Sequence, residues 1–190
     1  MNASRPCRCE IIARETPRVM THCHRCKKTT EFYCSDKFRV NAQQKTIDVW
    51  LIYKCLHCDS TWNCPILSRV HTNSMDRALH QRFMNNDAET AWEHAFQIGR
   101  LRRLCSGVNT DIKYTLQCDP IDLESGNVEI QLFSKYAWEL RLDRLLRELL
   151  GLSRSVLIQM ESSGSLLTQP ETGLTSKLKG DLRIILINGR

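Results

Sequence analysis

The chain has 190 residues, 42% of them hydrophobic and 25% charged, with 8 glycines and 5 prolines; such a composition excludes collagen-like, low-complexity and wholly disordered chains. Lys and Arg number 27 against 21 Asp and Glu, for a net charge of +6, and there are 10 cysteines. At roughly 100 to 200 residues per domain, one large or two small domains fit this length.

No run reaches the roughly 18 uncharged apolar residues of a membrane span, and Arg5, Arg8, Glu10, Arg14, Glu15 and Arg18 interrupt the stretch from Met1 to Met20, so it does not read as a secretory signal. The expectation is a cytoplasmic protein without membrane partners. Its reduced cysteines would serve as metal ligands or small core residues rather than disulfides. Charge is unevenly spread: residues 1–70 hold 12 basic and 6 acidic side chains, residues 71–140 hold 7 and 10, and residues 141–190 hold 8 and 5. Two basic ends flank an acidic middle, as separate modules would.

Taken in chain order, Cys9–Ala13 reads as an N-terminal strand, with Cys7 and Cys9 as thiols on it; a Cys-x-Cys pair can also bind metal, and its role stays open. Cys23, Cys26, Cys55 and Cys58 form two Cys-x-x-Cys pairs. Each pair converges two thiolates on one ion, and together they complete the closed tetrahedron of a structural Zn2+. Between them, Glu31–Val40 and Thr46–Tyr53 read as a strand pair joined by the polar turn Asn41–Lys45. The prediction is a zinc ribbon, its negative thiolates offset by Arg25, Lys27, Lys28 and Lys54. His22, His24 and His57 lie beside the pairs as lesser ligand candidates, and Cys34 and Cys64 read as core residues.

The run Glu31-Phe-Tyr-Cys-Ser-Asp-Lys-Phe-Arg-Val-Asn-Ala, then Ile47-Asp-Val-Trp-Leu-Ile-Tyr-Lys-Cys-Leu-His-Cys and Thr61-Trp-Asn, resembles a bacterial family known as domain of unknown function number one thousand and sixty-two. The resemblance covers most of the chain. It implies a shared fold and no mechanism.

Asn73-Ser74 is a candidate cap for a helix over Met75–Asn85, and Asp87 for a longer one running to Leu104 and broken at Gly99. Lys113–Gln117 and Val128–Phe133 read as short strands around an acidic loop with Asp119, Asp122 and Glu124, residues that more often face solvent than catalyse. His71, His80 and His94 belong to no recognised catalytic or metal motif.

From Leu140, the spacing of Leu142, Leu145, Leu146 and Leu149 predicts an amphipathic helix ended by Gly151. Ser153 caps a second helix that stops at Ser163-Gly164, and Leu166–Thr168, Leu174–Leu178 and Leu182–Ile187 follow as strands. The segments Arg141-Leu-Asp-Arg-Leu-Leu, Leu152-Ser-Arg-Ser, Ser163-Gly and Lys177-Leu-Lys-Gly-Asp181 resemble the alpha-L RNA-binding motif named for ribosomal small-subunit protein four, over roughly 50 residues. That resemblance implies RNA contacts at Arg141, Arg144, Ser153, Arg154, Lys177 and Lys179. The chain departs from the family at Leu166–Gly173, where a longer loop with Glu171 replaces a short Val-Asn-Gly turn.

The expected fold class is α+β: an N-terminal zinc ribbon (1–70), a helical connector with short strands (71–139) and a C-terminal alpha-L module of two helices and a small sheet (140–190). The expected function is non-enzymatic binding of structured RNA, ribosomal or transfer, with a structural zinc. The alternatives are a protein-binding adaptor with a degenerate RNA-binding fold and an enzyme sited in the acidic middle.

Overall fold

The computed structural model describes residues 6–43, 45–122, 126–178 and 180–187. The chain is mostly β, 42% strand and 24% helical, with two five-stranded sheets and five α-helices among the described residues. This corrects the expected α+β assembly of ribbon, helical connector and alpha-L module. The chain divides into two compact units: one combines Met1–Glu15 with Lys113–Arg190, and the other is the continuous stretch Thr16–Ile112. These bounds differ from the three-way reading at 70 and 139.

The continuous unit holds β2 (Arg18–Cys23), β3 (Lys28–Gln43), β4 (Thr46–Cys55), β5 (Thr61–His71) and β6 (Gly107–Asn109) in the antiparallel order β5-β4-β3-β2-β6. Alternation in β4 buries Ile47, Val49, Leu51, Tyr53 and Cys55 and leaves Asp48, Trp50, Ile52 and Lys54 on the other face. The expected strand pair is present as β3 and β4, but β2, β5 and β6 widen it beyond a ribbon. Two of these gave a weak signal: β6 is three residues long, and β5 contains Pro65 and shifts register against β4 twice.

Three helices, α1 (Arg77–Met84), α2 (Ala88–Ala95) and α3 (Ile98–Leu101), follow β5. Phe83, Ala91, Ala95 and Leu101 join Val19, Phe32, Phe38, Val49 and Leu51 in one core. The first helix starts later than predicted: Thr72–Ser74 is a single 3-10 turn, and Asp76 caps α1 by accepting from Ala78 N at 2.9 Å. Asp87 caps α2 as expected, but the helix breaks at Phe96-Gln97 rather than at Gly99.

The other unit is gathered from both ends of the chain. β1 (Cys7–Ala13), β7 (Tyr114–Cys118), β8 (Val128–Phe133), β9 (Leu166–Gln169) and β10 (Leu182–Leu186) take the order β7-β1-β8-β10-β9. Strand β1 runs antiparallel to β7 and parallel to β8. Helices α4 (Leu142–Leu150) and α5 (Arg154–Ser163) lie between β8 and β9 in sequence. Leu142, Leu145, Leu146 and Leu157 are fully buried, and removing a side chain of this kind from water contributes about 1.5–3 kcal/mol.

The helix pair and its caps therefore form as read: Gly151 and Gly164 take the left-handed φ values of 65° and 72° that end the two helices. The separate small sheet does not form. β10 pairs with β8, burying Leu182, Ile184 and Leu186 beside Leu132, Ile130 and Val128, because a lone hairpin cannot cover its own apolar face. The predicted strand Leu174–Leu178 is also absent. Leu174 O and Ser176 O accept from Asp143 N and Leu142 N at 2.8 and 3.0 Å, so this segment satisfies the unpaired amides that open α4.

Candidate functional site

Each Cys-x-x-Cys pair sits in the turn that follows a strand, and the two turns are built alike. Strand β2 ends at Cys23, whose carbonyl accepts from Lys27 N at 2.8 Å, with Lys27 at φ 57°. Strand β4 ends at Cys55, whose carbonyl accepts from Asp59 N at 3.0 Å, with Asp59 at φ 56°. In both, the residue after the second cysteine enters the left-handed region and its amide closes the turn onto the carbonyl of the first.

All four sulfurs lie within 4.8 Å of one another. Cys23 Sγ is 3.5 Å from Cys58 Sγ, and Cys26 Sγ is 3.9 Å from Cys55 Sγ. A tetrahedron with metal–sulfur bonds of about 2.3 Å has edges of about 3.8 Å, so the spacing fits an ion at the centre. Cys26 N donates to Cys23 Sγ at 3.4 Å, and Ser60 Oγ lies 3.0 Å from Cys23 Sγ and 3.1 Å from Cys58 Sγ. The Ser60 hydroxyl lowers the Cys23 thiol to about 5 and lowers Cys58 as well, while hydrogen bonding with Cys58 pushes Cys26 up to about 12. Ser60 carries no signal in the sequence beyond its place two residues after Cys58.

The structure brings Cys23, Cys26, Cys55 and Cys58 together as read. His22, His24 and His57 are exposed and stand outside this donor set. Cys34 and Cys64 are buried core residues. Cys9 departs from the expectation of free thiols: it faces Cys118 across β1 and β7, with Cα atoms 4.0 Å apart and sulfurs in bonding contact. The neighbouring pair Arg8–Asp119 carries the ladder hydrogen bond, which leaves Cys9–Cys118 in the closer, non-hydrogen-bonded position.

In the acidic loop, Asp119 accepts from Arg8 N at 2.9 Å, and Glu124 lies outside the described residues. His71 accepts from Asn73 N at the 3-10 turn, and His94 packs against Phe83 and Phe38. Burial, helped by Arg100, depresses the His94 imidazole to about 4.

The C-terminal candidates converge on one carboxylate. Asp143, 6% exposed, takes two hydrogen bonds from Arg141, at 3.0 Å from Nε and 2.8 Å from Nη2, and pairs with Arg154 Nε at 3.4 Å. These hydrogen bonds from Arg141 hold the Asp143 carboxyl below its ordinary value. Arg144 N also donates to Asp143 Oδ1 at 2.9 Å. Lys177 faces Arg141 in an isolated bridge, and its Nζ donates to Glu139 at 2.6 Å. Ser153 caps α5 by accepting from Val156 N at 3.3 Å, while Lys179 lies outside the described residues.

Beside this cluster, Arg144, Arg147, Glu148, Gly151, Leu152 and Ser153 line a shallow groove of about 560 Å³ where α4 ends and α5 begins. Sequence reasoning missed Asp143 as the organiser, although its place between Arg141 and Arg144 was the available signal. Arg147 also lines the groove and was not among the residues the resemblance implied.

Fold and site together define a mostly-β protein with a four-cysteine metal-type centre and an arginine-lined groove. The chain belongs to the family described as Protein of unknown function (DUF1062), whose model matches residues 40–172. That span includes Cys55, Cys58 and the α4–α5 pair and begins after Cys23 and Cys26. No curated protein and no solved structure matches the chain. Among the described residues no helix is long and apolar enough to cross a membrane.

Proposed function

We propose that this is a non-enzymatic protein that binds structured RNA, with a structural Zn2+ held by Cys23, Cys26, Cys55 and Cys58. Four thiolates leave the ion no open position, so it fixes the two turns and does no chemistry. The observation that carries the RNA reading is the groove at the α4–α5 turn. Arg144 and Arg147 line it, Ser153 places the N-terminus of α5 at its edge, and Arg141 and Arg154 share Asp143 close by.

Guanidinium groups and the exposed amides of a helix N-terminus suit phosphate oxygens, and a rigid helix pair holds them at fixed spacing. A folded RNA presents phosphates at such fixed spacing, which favours it over a flexible polyanion. The pairing of Arg141 and Arg154 with Asp143 makes them positioning groups as much as ligands. Arg144 and Arg147 then supply the charge nearest the groove.

Crosslinking in cells followed by sequencing of the bound RNA tests this reading. The expected result is enrichment of structured RNA that Arg144→Glu with Arg147→Glu abolishes. Recovery of a stable protein partner with no RNA would replace it with the adaptor reading.

A further inference from the structure

We infer that the solvent face of the β3–β4 pair is a second nucleic-acid surface, one that stacks the bases of an unpaired strand on Trp50. It shares its ligand class with the groove above but none of its residues.

The register places the residues. Opposite pairs on this face are Arg39 and Trp50, Lys37 and Ile52, and Tyr33 and Lys54. The inward partners of the same strands, Phe32, Phe38, Val49, Leu51 and Tyr53, are core residues, so this face is the one the unit's own core leaves uncovered. Lys37 and Arg39 are exposed, and Trp50, Ile52, Tyr33 and Lys54 are half-buried. The Arg39 guanidinium carbon lies 5.8 Å from the centroid of the Trp50 ring. Among the described residues Lys37, Arg39 and Lys54 are held in no ion pair. Of the carboxylates on this side, Asp48 accepts from Arg69 N at 2.8 Å, Glu31 pairs with Arg18 and Asn109, and Asp59 accepts from the Tyr33 hydroxyl at 3.0 Å.

Charge and shape select the ligand. An indole with two unpaired cations on the adjoining strand, Lys37 and Arg39, and a third further along β4, Lys54, calls for a partner that is anionic and flat at once. The apolar groups here are Trp50, Ile52, the Tyr33 ring and Pro65, and a cation stands directly across the β3–β4 pair from each of the first three, which breaks up any protein-docking patch of several hundred Å². Single-stranded nucleic acid offers both phosphates for the cations and base faces for Trp50, while a duplex hides its base faces in the stack. Lys37 and Arg39 flank the indole, so the strand's backbone would run along β3 with a base turned onto β4.

The test is titration of the full chain with a fluorescein-labelled oligouridylate at low salt, alongside a labelled RNA hairpin. Trp50→Ala should weaken oligouridylate binding about tenfold, Trp50→Phe should restore most of it, and Lys37→Glu should weaken it without touching the aromatic ring. None of the three should alter hairpin binding, which Arg144→Glu with Arg147→Glu should remove. Oligouridylate binding unchanged by both Trp50→Ala and Lys37→Glu overturns the inference and leaves the groove standing. Hairpin binding lost to the Arg144/Arg147 changes, with no oligouridylate binding by the unaltered chain, overturns it too. A dimer broken by Trp50→Ala, with oligouridylate affinity unmoved, would make this face an interface between copies.

Discussion

The two sheets differ in how the chain reaches them. In the continuous unit every strand from β2 to β5 pairs with its neighbour in sequence, and the two metal-type turns lie at the ends of β2 and β4. The other sheet is closed only when β1, from the start of the chain, slots between β7 and β8, with β10 pairing on the far side of β8. One unit is fixed by local pairing and four converging thiols, the other by long-range burial of alternating aliphatic side chains. The units should therefore fail by different routes, and perturbing each in turn shows whether they do.

The largest effect is expected from Cys26→Ser. Metal content should drop from about one ion per chain to nearly none, and protease cleavage should concentrate within 16–112 while α4 and α5 stay protected. Cleavage spread evenly over both units would dissolve the contrast between them. Next, Leu146→Ala should destabilise the other unit by about 2–5 kcal/mol in denaturant unfolding and leave metal content unchanged, because it opens a cavity in an aliphatic core apart from the four cysteines.

Asp143→Asn should cost less, about 1–3 kcal/mol, since it removes a charged acceptor but keeps the side-chain volume. Its pH dependence has a definite sign. The folded carboxyl lies below its unfolded value near 4, so its stabilisation is present above that pH and is lost as pH falls through the lower folded value. The Asn variant should lack that acid limb in a melting series.

At neutral pH the smallest effect belongs to His94 in the continuous unit, whose contribution shows only on acidification. Its folded imidazole is depressed to about 4, so the unfolded state binds more protons below about 6.5, and stability should decline as pH falls from there toward 4. His94→Gln should flatten that decline by a few degrees of melting temperature, which would separate the acid response of this unit from that of Asp143.

The same contrast explains what could be read in advance. The two Cys-x-x-Cys pairs, the β-rich run Thr46–Tyr53 and the leucine stripe of α4 are local patterns: the run and the stripe formed the strand and helix they suggested, and the four cysteines came together, although in a five-stranded sheet rather than the expected ribbon. The pairing of β1 with β7 and β8 joins residues more than 100 positions apart, and no short-range pattern announces it. Val128–Phe133 and Leu182–Leu186 were legible as strands, but not as neighbours in one sheet. Leu174–Leu178 had strand-like composition and instead closes the N-terminus of α4, because unpaired helix amides were the stronger demand. At the sites, which four cysteines converge was legible from spacing. Ser60 and Asp143 were not, since they act by orienting other groups.

Binding of the full, metal-loaded chain to a structured RNA hairpin, followed between about 50 and 200 mM salt, tests the functional reading most directly. The expected result is an affinity that falls by about one to two orders of magnitude across that range, as for roughly four phosphate contacts, with a shallower slope after Arg144→Glu and Arg147→Glu. No binding at the lowest salt, or an affinity indifferent to both salt and these arginines, would contradict it.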